Sequence, residues 1–72
     1  MKKVSYDKMA KLVNENCKDV RAEKGFWYAG AVCLYIYWKT EEAKDKTIAF
    51  VHENYRTTSN YHFLIATSRM FK

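Results

Sequence analysis

Seventy-two residues carrying thirteen Lys and Arg against eight Asp and Glu make a small basic chain of net charge +5, with no proline and only two glycines. A chain of this length forms one domain and buries only about 60% of the surface its unfolded form exposes, which excludes a large core. The positive excess favours acidic partners, nucleic acid or an acidic protein surface. Cys17 and Cys33 lack the close spacing of zinc or dithiol motifs, and the N-terminus lacks the long apolar stretch of a signal peptide or membrane span. The expectation is a soluble cytoplasmic protein with no membrane association and no bound cofactor.

The first predicted element is a helix from Ser5 to Glu23. Ser5 is placed to accept from the orphan amides of the first turn, and Asp7 suits the positive end of the dipole. Tyr6, Met9, Ala10, Leu12, Val13, Cys17 and Val20 recur at helical spacing, with Lys8, Lys11, Asn14, Glu15 and Lys18 opposite them. Gly25 would end this helix in the left-handed region.

From Phe26 to Lys39 the composition turns aromatic and β-branched, predicting a strand bent or bulged at Gly30. Alternation sets Val32, Leu34, Ile36 and Trp38 on a core face and Cys33, Tyr35, Tyr37 and Lys39 on the other. Thr40 as N-cap, Glu41 and Glu42 in a first turn, and the stripe Ala43, Thr47, Phe50, Val51 and Tyr55 predict a second helix, favoured over a middle strand across residues 47–51. Arg56 to Asn60 is a polar turn, Tyr61 to Thr67 a strand, and Ser68 to Lys72 a tail or strand extension.

The expected fold is α+β, a small single-layer antiparallel sheet packed with helices in α-β-α-β order, with an N-terminal helix plus a three-stranded meander as the alternative. Two strands are marginal in water, so the sheet is expected to continue into, or stack on, a second copy in a homodimer.

Nothing in the chain spells out catalysis. Phosphate-binding glycine loops, a metalloprotease His pair and a nucleophile elbow are all absent. Cys17, Cys33, His52 and His62 are chemically able to bind zinc but wrongly spaced for it, and His62 with Glu53 and Arg56 is a thin basis for acid–base work on RNA. Glu41 and Glu42 are explained by the helix dipole. The chain is therefore expected to be a binding protein and not an enzyme.

Nucleic-acid binding needs cations beside exposed rings on which unpaired bases can stack. The candidates are Tyr35, Tyr37 and Lys39 on the central strand, Arg56, Arg69 and Lys72 in a C-terminal third that has no acidic residue after Glu53, and Lys11 and Lys18 on helix one. RNA or single-stranded nucleic acid is the expected partner. In size, lysine and asparagine content and absence of linkers, the chain resembles the small proteins that bacteriophages make to disable host enzymes. That resemblance implies the alternative, an inhibitor or adaptor that blocks a host nuclease, toxin or polymerase.

Overall fold

A computed structural model describes residues 1–70, leaving aside the side chain of residue 28. The chain is α+β: two helices lie with a three-stranded sheet and a separate two-stranded ribbon. No helix among the described residues is long and apolar enough to cross a membrane.

β1 is Lys2–Lys3, paired in parallel with β4, Tyr55–Arg56. Helix α1 follows as Tyr6–Asn16, capped by Ser5, whose hydroxyl accepts from the amide of Lys8 at 3.1 Å. Here the sequence expectation is corrected, for α1 stops seven residues before Glu23. Asp19 adopts a left-handed φ of 60°, which breaks the helix, and Val20–Phe26 becomes strand β2. The apolar residues Val20 and Ala22, spaced two apart between Arg21 and Glu23, satisfy a pleat as well as a helix. Gly25, expected to end the helix, instead lies within β2 opposite Cys33, where an added Cβ would stand 3.6 Å from both the Cys33 Sγ and the Tyr35 Cβ.

The predicted strand from Phe26 is likewise a hairpin arm, β3, Val32–Trp38, paired antiparallel with β2 from Val20↔Trp38 to Phe26↔Val32. The connection at Tyr28–Gly30 places Ala29 and Gly30 at φ of 66° and 79°. Gly30 is thus a turn residue and not a bulge. An added Cβ there meets open space, so Gly30→Ala should cost backbone strain alone, about 1 kcal/mol. A urea titration checks this, with a lowered midpoint and unchanged slope expected.

Helix α2, Glu41–Asn54, starts where Thr40 accepts from the amide of Ala43 at 3.1 Å, as expected. Its 14 residues span about 21 Å, close to the roughly 23 Å of a seven-residue strand, so it returns the chain to the starting end of β3. The next sheet strand, β5, Ile65–Arg69, consequently runs parallel to β3, which makes the sheet mixed and not antiparallel. Residues 61–64, expected in that strand, form an irregular approach to it.

Met9 and Val13 of α1, Leu34 and Ile36 of β3 and Val51 of α2 are fully buried, and Ala22, Phe63 and Val4 complete the core. Leu34 and Ile36 lie on the expected core face, with Val32 and Trp38 half-buried at its two ends. Tyr6 fastens the irregular approach to this core, packing edge-on to Phe63 at 4.9 Å while its hydroxyl accepts from the amide of Leu64 at 3.0 Å.

Candidate nucleic-acid interface

Both helices contribute to the core on the Leu34 and Ile36 side of β3, so the opposite face of the sheet carries the odd-numbered residues of that strand. Register fixes its composition: Gly25, Glu23 and Arg21 of β2 lie opposite Cys33, Tyr35 and Tyr37, and Ala66 and Ser68 of β5 lie beside Tyr35 and Tyr37. Tyr35 and Tyr37 are half-buried with ring centroids 4.9 Å apart and planes tilted by 33°.

Their hydroxyls are held by the flanking strands. Tyr35 shares a 2.7 Å hydrogen bond with Ser68, and Tyr37 donates to the Glu23 carboxylate at 3.1 Å. That bond to Glu23, then desolvation, raises the Tyr37 pKa above the ordinary phenol value. The contribution of the bond is therefore present below the usual tyrosine range and lost as pH rises through the raised value. Ring orientation is fixed across all three strands at neutral pH, which suits a preset stacking surface.

The two ends of the sheet differ. At one end Trp27, Cys33, Tyr35 and Ala66 line an open cavity of about 470 Å³, and neighbouring Phe26 is 68% exposed. Cys33 itself is 1% exposed, and burial pushes its thiol pKa up; it and Cys17 are both free thiols. At the other end the row Val20, Trp38 and Arg69 closes the sheet on its Leu34 and Ile36 side, and cations gather on both sides of that end. Arg69 lies 5.9 Å and Lys44 5.0 Å from the Trp38 ring centroid, near enough for cation–π attraction. Exposed Lys39 follows Trp38 directly, its amide donating to the carbonyl of Asp19 at 2.9 Å, which brings the turn bearing Lys18 to the same end. Arg21 stands on the open face beside Tyr37. Asp19 and the Glu23 carboxylate held by Tyr37 temper this charge.

Of the predicted residues, the fold thus puts Tyr35, Tyr37 and Lys39 in line on the open face; Arg69, in register with Trp38, lies at the same end but on the helix side, and Lys18 lies beside the start of α2. Lys11 is exposed on α1, away from these strands. Arg56 lies apart from these strands: one guanidinium nitrogen donates to the carbonyls of His52 at 2.6 Å and Tyr55 at 2.9 Å, closing the C-terminus of α2. Lys72 lies outside the described residues. Sequence reasoning misses Arg21, which falls inside the expected helix from Ser5 to Glu23, and Trp27; the alternation of Arg21 with Ala22 and Glu23 is the available signal.

The other chemical candidates do not assemble. His52 packs edge-on against His62 at 5.2 Å, half-buried and not on a solvated arc, and no group of three or more His, Cys, Asp or Glu able to hold a metal ion forms among the described residues. Comparison with known proteins returns no matching family model, no matching curated protein and no matching solved structure.

Proposed function

We propose that this protein is a non-enzymatic binding module for RNA or other single-stranded nucleic acid, working in a reducing cytoplasm where Cys17 and Cys33 stay as thiols. The observation that carries the reading is the sheet face without helices, where the Tyr35–Tyr37 pair is held by Ser68 and Glu23 beside Arg21, with Lys39 next along the strand. Bases stack on the rings in a sequence-tolerant way while the cations follow the backbone phosphates.

Fluorescence anisotropy of a labelled single-stranded oligonucleotide tests it. Two phosphate contacts, from Arg21 and Lys39, give a slope of log K against log salt of roughly −1.4. In the double variant Arg21→Glu, Lys39→Glu the affinity should fall and the slope should flatten. Affinity independent of salt, or identical in the double variant, contradicts the reading.

A second reading draws on the opposite end of the sheet. Exposed Phe26 and Trp27 beside the cavity at Cys33 and Ala66 offer an apolar anchor site of the kind found in protein interfaces, which fits an inhibitor or adaptor of a protein target. Such a complex survives high salt, and the same titration separates the two readings.

A further inference from the structure

The two outer edges of the three-stranded sheet are treated differently by this chain. At the β2 edge, Ala22 turns its main-chain groups outward, and both are taken by one side chain: the Asn14 Oδ1 accepts from the Ala22 amide at 2.7 Å, and the Asn14 Nδ2 donates to its carbonyl at 2.9 Å. The β5 edge has no such cover among the described residues. Its phase is set by the bonds from the Leu34 amide to the Leu64 carbonyl at 2.8 Å and from the Met70 amide to the Trp38 carbonyl at 2.6 Å. Even-numbered residues therefore bond to β3, and Ile65, Thr67 and Arg69 direct their N–H and C=O groups away from the sheet.

We propose that β5 pairs with β5 of a second copy of this chain, antiparallel about a two-fold axis at Thr67, to form a continuous sheet of twice the width. In that register Thr67 exchanges bonds with the partner's Thr67, and Ile65 with the partner's Arg69, about six main-chain hydrogen bonds in all. Three features select a second copy. A two-fold axis on an exposed Thr gives a Thr–Thr cross-strand pair, a favourable one. Arg69 is the strand's one charged residue and faces the partner's Ile65, so no like charges stand opposite each other. Lys, Pro and bulges, by which native edges discourage pairing, are missing from residues 65–68, whereas the β2 edge is occupied by Asn14. The pairing goes beyond the nucleic-acid reading and does not depend on it, although it joins the two tyrosine faces into one surface.

Light scattering across a dilution series tests it, with far-UV circular dichroism as the check on folding. The native chain should show twice the 8.6 kDa of one copy, and Thr67→Lys, which sets two cations opposite each other at the axis, should halve that mass. Thr67→Pro should do the same, since it removes an N–H that β3 does not use. Added salt should strengthen the dimer by screening two copies of charge +5, the opposite of its effect on nucleic-acid binding. A single-chain mass for the native protein overturns the proposal. So does a doubled mass that survives both Thr67 variants, or one that is lost in Tyr37→Ala while both Thr67 variants keep it.

Discussion

Replacing Tyr35 and Tyr37 together by alanine should weaken binding to a single-stranded oligonucleotide by about 2 to 3 kcal/mol, roughly 30- to 150-fold. Each ring is able to carry one base, and stacking contributes about 1–3 kcal/mol per base; the low end applies because the two rings already touch each other at 4.9 Å. The fold should persist, since Leu34 and Ile36 point to the opposite side and hold the core. The control is Tyr35→Phe with Tyr37→Phe, which keeps both planes and loses only the hydroxyl bonds to Ser68 and Glu23. That variant should retain most of the affinity, with a small loss because the Glu23 carboxylate is freed beside the phosphate path. Equal affinity for the native protein and the double alanine variant rules out stacking on this face. Equal losses in the alanine and phenylalanine variants shift the explanation from the rings to the hydroxyls.

The tyrosine face was legible because it depends on a period of two within one short segment, and nothing distant changes which side Tyr35 and Tyr37 share. The start of α1 at Ser5 and the whole of α2 were legible for a similar reason, as their caps act within one turn. The failure from Cys17 to Phe26 has a different origin. Met9, Val13, Cys17 and Val20 continue a helical stripe without interruption, so local spacing favours a helix through the point where the chain turns. Pairing with β3, whose residues are up to 18 positions away, together with a left-handed Asp19, decides the matter for the strand. Arg21 was consequently assigned to the wrong element, and the cationic end of the sheet lost one of its members. Arg56 shows the converse, because a local excess of positive charge along the sequence does not make a surface once a guanidinium is spent on helix carbonyls.

Asn14→Ala should destabilise the protein by about 2 kcal/mol, an unusual cost for an exposed polar residue on a helix, where most substitutions stay within about 0.5 kcal/mol. Its amide makes both hydrogen bonds to Ala22, and Ala22 is only 4% exposed, so its main-chain groups are poorly placed to recruit water instead. Two bonds at about 1 kcal/mol each give the estimate of the loss. Asn14→Asp should be no better, for it keeps an acceptor for the Ala22 amide but turns a carboxylate oxygen toward the Ala22 carbonyl. Hydrogen exchange gives the local readout: the Ala22 amide, protected in the native chain, should exchange faster in Asn14→Ala by more than the global loss of stability requires. Equal protection at Ala22 in both proteins would show that the edge is closed by something other than this side chain. A second consequence follows from the same bond pair. With Asn14 gone, β2 presents its outward groups as β5 already does, so a chain that pairs through one edge acquires two. Open-ended association in place of a closed pair is then the expected outcome in Asn14→Ala, and Thr67→Lys added to that variant should suppress it.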